Sequence, residues 1–470
     1  MTEPYLRLMP ALVYAALCTA VVSSLGMLLV PTISREMEVP VGTAQWMLTV
    51  NLLVGAVATP VMGRLSDGPH KKRLLLLALV IILAGSIIAA AAPNFSVFLV
   101  GRALQGLTYG IVPVTIALAR RYAAANKMQF SISRLSVTVT TGIGIGYPLT
   151  GILAGLFDFR FAFWFAALFV TTAIIVVFRV VPSGPDEQSP LMPFDYQGTS
   201  RFAIGLGALL LAVSEGPNWG WGSPWTAGTM IFATVILTCW VRGQLRIRHP
   251  LINLRVLRKR EVLLANSTAI SLGAAMYIGL SISGLVAQAP ASTGYGLALP
   301  VFWAGFVMFP LSVGSFCANR LVRLLSRRIP LGALLPVGSG LIAAAGMLLW
   351  LAHDELWEIL IGMLVFGCGM GTSYAAMPAL IARRVATAEL GSSVSFNQVL
   401  RTVGSSFGTA VSGAVLAAYS APDSHPTGAG ITTTLGMGAV LCATVFVSLV
   451  IHSMTRFRRT MGMPRGNALR

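Results

Sequence analysis

The stretch GRLSDGPHKKRLL at residues 63–75 is echoed later in the chain by NRLVRLLSRRIPL at residues 319–331. One constant offset aligns four positions of the two stretches, pairing Arg64, Leu65, Lys71 and Lys72 with Arg320, Leu321, Arg327 and Arg328. Each stretch joins the second and third members of a series of six apolar segments. Any basic loop can be aligned with another, but the matching place of the two stretches in each series predicts a chain built from two repeated halves.

The regions around these two loops are too apolar for a protein that folds in water. Of the 470 residues, 56% are hydrophobic and only 10% are charged, and the mean hydropathy is +0.79. Apolar runs of about 18 or more residues recur along the chain, and this length crosses roughly 30 Å of hydrocarbon. No long hydrophilic stretch remains in which a soluble domain could fold. The composition therefore predicts an all-α integral membrane protein with many spans.

Fourteen apolar segments can be drawn as membrane-spanning helices. The first eight lie near 11–33, 43–66, 73–92, 95–120, 130–156, 161–181, 201–216 and 225–241. Six more lie near 262–285, 299–319, 331–352, 357–381, 391–418 and 430–454. We expect a first half at 1–182, a linker with two inserted helices and a basic loop at 183–260, a second half at 261–456 and a basic tail at 457–470.

The distribution of charge predicts the orientation in the membrane. The net charge is +18, and the basic residues cluster in alternate loops while the loops between them carry few. Basic loops stay in the cytoplasm, so with an even number of spans both termini are expected inside the cell. Nucleic-acid binding would need a continuous basic face with interleaved aromatic residues, and the sequence shows no such face.

The chain has few residues suited to metal or enzyme chemistry. Its five cysteines and five histidines show no metal-ligand spacing, and no cluster of His, Asp, Glu and Cys falls within the spans. We therefore expect no cofactor, no metal site and no enzymatic activity.

The loop at 63–73 resembles the signature G-x-L-a-D-r-x-G-r-k of the major facilitator superfamily. The match departs at Gly68, where a base is usual, and at His70, where a glycine is usual. In that family the acid ties the two halves together on the cytoplasmic side. The resemblance implies a conformational-switch loop made of Gly63, Arg64, Asp67, Lys71, Lys72 and Arg73. Because a carboxylate is favourable at a helix N-terminus, the start of the thirteenth segment, at 391–393, is the expected partner of Asp67.

A second motif is GRALQG at residues 101–106, inside the fourth segment. A buried arginine in a membrane helix is costly unless it is paired or hydrated, which makes Arg102 a functional candidate. Gln105 lies three residues further on and shares its helix face. The pair resembles the R-x-x-Q-G motif of the same superfamily, which implies a role in proton coupling. The alternative is that Arg102 extends toward the outer surface and has no such role.

A third motif is GIGIGYPLTG at residues 142–151 in the fifth segment. It resembles the antiporter signature of the drug/proton branch through Gly142, Gly146, Pro148 and Gly151. Glycines four residues apart let helices approach closely, which is also a common packing motif, and proline loosens the helix. SEGPNWGW at 214–221 and RTVGSSFGTA at 401–410 resemble further segments of the fourteen-helix members. The aspartate often found in helix 1 of that branch is missing from residues 23–34.

The resemblance implies a major facilitator fold, with two six-helix halves, two inserted helices and 14 transmembrane helices in all. Its halves would rock about a midplane cavity. The polar and aromatic candidates for lining that cavity are Ser23, Ser24, Asn51, Tyr109, Asn266, Tyr277, Trp303, Tyr374, Asn397 and Arg401. Each could equally serve in packing or in hydrogen bonds between helices.

Acidic residues are scarce in the spans, and this scarcity limits both coupling and substrate. Proton coupling needs a group that titrates in a partly buried setting; Glu215 is the first candidate for that group, Asp67 the second. A dicationic substrate would need a carboxylate in mid-membrane, and the sequence shows none. We therefore hypothesise neutral, zwitterionic or weakly anionic amphipathic compounds, with Arg102 or Arg401 available to meet negative charge.

Together these patterns predict a secondary active transporter, monomeric in the cell membrane, that exports small amphipathic drugs or metabolites. Proton antiport would drive it, with protons and the lipid bilayer as its other partners. One alternative is a proton-coupled or facilitative importer of a small solute such as a peptide, although such importers carry an acidic and aromatic cluster in helix 1. A membrane scaffold or sensor is an alternative of another class, but the chain shows no hydrophilic stretch that could signal.

Overall fold

A computed structural model describes residues 3–39, 41–122, 128–182, 193–247, 250–257, 259–325, 331–386, 389–419 and 426–461. The regular elements within these ranges are helices. By length and composition, 12 helices of the described ranges are able to cross a membrane. This agrees with the prediction of an all-helical, multi-pass membrane protein.

The first half contains nine α-helices among its described residues. These are α1 (Glu3–Ser24), α2 (Val30–Glu36), α3 (Val41–Ala44), α4 (Trp46–Ser66), α5 (Lys71–Ala90), α6 (Phe95–Gln105), α7 (Thr108–Tyr122), α8 (Met128–Leu156) and α9 (Arg160–Val180). The helices α6 and α7 together form one span, which is interrupted after Gln105. A Cβ on Gly106 would lie 2.8 Å from the carbonyl oxygen of Asn51, so glycine at this interruption lets α4 approach closely.

The inserted helices and the second half follow in the same order as in the sequence prediction. They are α10 (Tyr196–Trp219), α11 (Pro224–Gln244), α12 (Leu254–Leu257), α13 (Arg260–Gln288), α14 (Val301–Phe306), α15 (Phe309–Leu325), α16 (Leu331–Leu351), α17 (Leu356–Arg384), α18 (Leu390–Ala418) and α19 (Gly428–Met461). Ser223 caps α11 by accepting a hydrogen bond from the backbone nitrogen of Thr226 at 3.2 Å. Of the region predicted at 183–260 to hold the linker, the inserted helices and the basic loop, residues 183–192 lie outside the described residues.

The count of fourteen spans is not confirmed. The predicted segments 201–216 and 391–418 are helical as α10 and α18, but neither is among the 12 apolar spans found in the described chain. The reason is their polarity. For example, α18 carries Asn397, Arg401 and several serines, which are buried against neighbouring helices and lower its hydropathy.

The two halves meet along two interfaces. In one of them α4 packs on α18, and in the other α8 packs on α14, α15 and α17. Close backbone approach explains the glycines of α8, since a Cβ on Gly151 would lie 2.9 Å from the carbonyl oxygen of Phe302. The inserted helices pack on each other, and α10 also contacts α4 and α18. A cavity remains between the halves.

Candidate functional site

The central cavity is formed by both halves of the chain. Helices α1, α4, α7 and α8 line it from one side and α13, α17 and α18 from the other. Counting all space that atoms do not fill, including space open to solvent, its volume is about 650 Å³. Six of the predicted residues line it, namely Ser23, Ser24, Tyr109, Tyr277, Tyr374 and Arg401. None of the described lining residues is acidic.

Tyrosines connect the two halves across this cavity. Tyr109 on α7 and Tyr277 on α13 both line the cavity, and their side chains lie close enough to interact with each other. Tyr374 on α17 presents the face of its ring to the guanidinium of Arg401, with the Cζ atom 3.9 Å from the ring centroid. This distance is well within the range of a cation–π interaction.

Arg401 lies at the cavity wall and is only 9% exposed. Apart from the Tyr374 ring, its guanidinium makes no hydrogen bond or ion pair within the described part of the chain. Sequence reasoning missed Gln398, which also lines the cavity. Its position three residues before Arg401 on α18 was the available signal, because that spacing places the two residues on one helix face.

Four predicted cavity residues do not line the central cavity. Asn51 donates to the carbonyl oxygen of Arg102 at 3.0 Å. Asn397 donates to Oδ1 of Asn266 at 2.9 Å and borders a smaller adjoining cavity. Trp303 is 58% exposed on α14, where it packs against neighbouring phenylalanines. The side chains of Asn51, Asn266 and Asn397 thus serve contacts between helices, and Trp303 faces outward.

Arg102 is fully buried, so it does not extend to the surface. Its Nε donates to the carbonyl oxygen of Met47 at 3.3 Å and its Nη1 to Oε1 of Gln105 at 2.6 Å. Gln105 in turn donates to the hydroxyl of Ser86 at 2.9 Å. The shared face of Arg102 and Gln105 is thus present, and it connects α4, α5 and α6. Arg102 does not line the central cavity.

Asp67 joins the two halves at one end of the bundle. Its Oδ1 accepts a hydrogen bond from the backbone nitrogen of Gly391 at 2.8 Å and its Oδ2 from that of Ser392 at 3.1 Å. These are the residues at the start of α18 that the motif and the helix N-terminus predicted as partners. We call this contact the Asp67 latch.

Burial controls the ionisation of Asp67. It raises the pKa of the Asp67 carboxyl to about 7, although the two backbone donors and the charge of Arg64 lower it. Lys71 and Arg120 also interact electrostatically with this carboxyl. The carboxyl therefore titrates near neutral pH while the latch is closed.

The other residues of the loop shape this end of the first half. Gly63 lies so close to α18 that a Cβ there would sit 2.7 Å from the carbonyl oxygen of Gly391 and would overlap the side chain of Ser395. Lys71 donates to the carbonyl oxygen of Gly68 at 2.8 Å. Lys72 donates to that of Val181 at 2.6 Å, which ties α5 to the end of α9. Arg64 is half-buried and Arg73 is exposed.

The segment that follows the inserted helices reaches the same end of the bundle. Nδ2 of Asn253, in the segment after α11, donates to Oε1 of Glu389 at 2.9 Å, two residues before Gly391.

Glu215, the first coupling candidate, lies on α10 and accepts from Asn218 at 3.1 Å. It does not line the central cavity.

The glycines of the antiporter-like motif on α8 have different neighbours. Gly142 and Gly146 face α1, where added Cβ atoms would meet Ala20 and Ser24. Gly151 faces α14 of the other half, and Pro148 lies beside Gly305 of the same helix. The motif therefore permits close packing both within a half and between halves.

The fold and the cavity define a class of protein, namely a helical membrane protein whose two halves enclose a binding space, as in transporters. The family model described as Major Facilitator Superfamily matches residues 12–409. The chain belongs to this superfamily, which is a family of transporters and not of enzymes.

Several relatives are transporters or resistance proteins. The chain is 26% identical over 410 residues to an uncharacterised MFS-type transporter of Mycobacterium tuberculosis, covering 86% of this chain and 58% of that protein. It thus spans less than two thirds of that relative's length. It is 25% identical over 383 residues to the Multidrug resistance protein B homolog of the same species, covering 79% of this chain and 68% of that protein.

A relative and a solved structure match over most of their length. The Puromycin resistance protein pur8 of Streptomyces alboniger is 24% identical over 460 residues, covering 90% of this chain and 87% of that protein. The crystal structure of the human organic anion transporter MFSD10 has a TM-score of 0.64 and covers 95% of this chain and 100% of that one. With 15% sequence identity, this likeness shows the fold alone.

Proposed function

We propose that this chain is a secondary active transporter that exports small amphipathic compounds by alternating access. The proposal is carried by the central cavity, which both halves line, together with the Asp67 latch, which joins the halves at one end of the bundle. Opening and reforming that latch would expose the cavity to one side of the membrane at a time. The relatives named for multidrug and puromycin resistance support the outward direction.

The proposed setting is the cell membrane, with the Asp67 end and both termini in the cytoplasm. Alternating basic loops in the sequence support this orientation. We further propose that α10 and α18 also cross the bilayer, which gives fourteen spans. At 24 and 29 residues, their lengths of about 36 and 43 Å exceed the roughly 30 Å of hydrocarbon. The transporter would act as a monomer and without a cofactor.

We propose that a proton gradient supplies the energy, through antiport. The motifs on α6 and α8 support this proposal. Among the coupling candidates, Asp67 is favoured over Glu215, because the pKa of its carboxyl is raised to about 7. Glu215 lies outside the cavity lining. Asp67 would couple proton binding to closure of the latch, and Arg102 with Gln105 would hold α4, α5 and α6 in register.

The test is transport by the purified chain in proteoliposomes with an imposed pH gradient. The probes are a panel of amphipathic compounds that includes puromycin, named for one relative. We expect accumulation in vesicles with an acidic lumen, abolished by a protonophore. Equal flux with and without the gradient would indicate a facilitator and not an antiporter. Movement of solute in the same direction as the protons would indicate an importer. Flux no greater than in protein-free liposomes would contradict the proposal as a whole.

A further inference from the structure

The central cavity holds a buried positive charge that the described protein does not neutralise. Arg401 is only 9% exposed and its guanidinium contacts the Tyr374 ring. None of the described lining residues is a carboxylate. A cation buried without an anionic partner costs free energy, and a ligand that brings the partner recovers it.

Arg102 provides the contrast that makes Arg401 informative. Both arginines are buried, but the guanidinium of Arg102 donates to Met47 and Gln105, and its residue is absent from the cavity lining. Its hydrogen-bonding capacity is thus used in joining helices. Within the described part of the chain, the guanidinium N–H groups of Arg401 donate to no other residue, so they are available to a ligand in the cavity.

The remaining lining describes the rest of a ligand. Gln398, on the same face of α18 as Arg401, adds an amide that can donate to a second oxygen. Tyr109, Tyr277 and Met276 offer aromatic and polarisable surface. A planar guanidinium suits a carboxylate or another oxyanion that accepts two hydrogen bonds.

We infer that the central cavity binds organic anions, with the anionic group on Arg401 and Gln398 and an aromatic or apolar body against the tyrosines. This inference rests on the proposed transport function and narrows its substrate class. The sequence suggested neutral, zwitterionic or weakly anionic substrates. Of these, the inference favours compounds that carry a carboxylate or a similar anionic group.

The experiment measures binding to the purified full chain in detergent by equilibrium dialysis at neutral pH. The probes share one ring system and differ in their head group: naphthylacetate, naphthylethanol and naphthylethylammonium. We expect the anion to bind roughly tenfold or more tightly than the alcohol, the gain typical of a charge-assisted hydrogen bond. The ammonium should bind most weakly.

Variants of the full chain assign that preference to Arg401. Arg401→Gln should lower anion affinity to about the level of the alcohol, while measurable binding of the alcohol shows that the variant is folded. Arg401→Lys should keep part of the preference. The matched control is Arg242→Gln, which removes an exposed positive charge on α11 and should leave all three affinities unchanged.

Several results would overturn the inference. They are equal affinity for the three probes, a preference for the ammonium, no binding of the anion, or an anion preference that survives Arg401→Gln. Failure of the proposed function is recognised separately in the proteoliposome assay. Gradient-driven flux of the alcohol or the ammonium without anion preference contradicts this inference alone, whereas no flux of any probe contradicts transport itself.

Discussion

Arg102 and Arg401 both lie inside the helix bundle, but their surroundings give them different tasks. Arg102 donates in two directions, to a backbone oxygen of α4 and to the side chain of Gln105. Arg401 faces the cavity beside Tyr374. At the scale of single residues, the partners of a buried charge therefore distinguish a helix-joining arginine from one that is available to a ligand.

Replacing Arg102 by lysine should destabilise the protein, because one ammonium nitrogen cannot occupy the positions of both Nε and Nη1, which donate to Met47 and Gln105. We expect a loss of about 1–3 kcal/mol, the usual range for buried polar groups left without partners. The measurement is the Tm in detergent at a fixed heating rate. Arg242→Lys, at an exposed site on α11, is the control that should leave Tm unchanged. An unaltered Tm in Arg102→Lys would show that its hydrogen bonds are dispensable.

Helix packing is the scale at which most of the unpredicted features arise. The sequence correctly indicated an all-helical membrane protein and the partner of Asp67, because apolar length and a loop motif are local signals. It did not show which side of each helix meets the cavity. Asn51 and Leu52 are adjacent on α4, yet only Leu52 lines the cavity and Asn51 bonds to α6. Successive helix positions differ by about 100°. When a helix is apolar on nearly every face, its sequence does not show which face is turned toward the cavity.

Close packing of α4 against α18 leads to a prediction for Gly63→Ala. The added Cβ would overlap Ser395 and lie 2.7 Å from the carbonyl oxygen of Gly391, which should cost about 1–2 kcal/mol in the closed state. The ratio of closed to open molecules at the Asp67 end should fall by a factor of roughly 5–30. The measurement is the distance distribution between spin labels at His70 and Ala386, exposed residues near this end.

The control for this prediction lies on the same helix as the partner. Gly413 of α18 has no atom within 4 Å of an added Cβ, so Gly413→Ala should leave the label distances unchanged. A Gly63→Ala variant that closes as fully as the parent would mean that the helices separate to accept the methyl group at no cost.

Across the whole molecule, closure should depend on pH through Asp67. The pKa of its carboxyl is about 7 in this closed arrangement, and it should return toward its ordinary value of 3.8 when opening exposes the group to water. The closed state therefore binds the proton more tightly, so the closed fraction should fall as pH rises from about 4 to about 7 and then level off. The same pair of labels measures this fraction.

Asp67→Asn tests the origin of that pH dependence. The amide stays neutral, so the closed fraction should become independent of pH in this window. Transport should slow, because the side chain at position 67 can no longer ionise and thereby favour the open state. Asp158→Asn, which changes an exposed acid beside α9, should behave like the parent. A pH profile that persists in Asp67→Asn would place the titrating group elsewhere.

The chemistry of the Asp67 latch also determines which mutations can disturb it. On one side of the latch the acceptor is the side chain of Asp67. On the other side, two of the donors are the backbone N–H groups of Gly391 and Ser392. Any residue except proline supplies a backbone donor, so sequence drift on α18 leaves these donors intact. Position 391 is further limited by space, because an added Cβ would lie 2.6 Å from the carbonyl oxygen of Gly63. In a genetic screen, loss of the latch should therefore arise at Asp67, at the closely packed Gly63 and Gly391, or through proline at position 392. No side chain on α18 should compensate for loss of the Asp67 carboxyl.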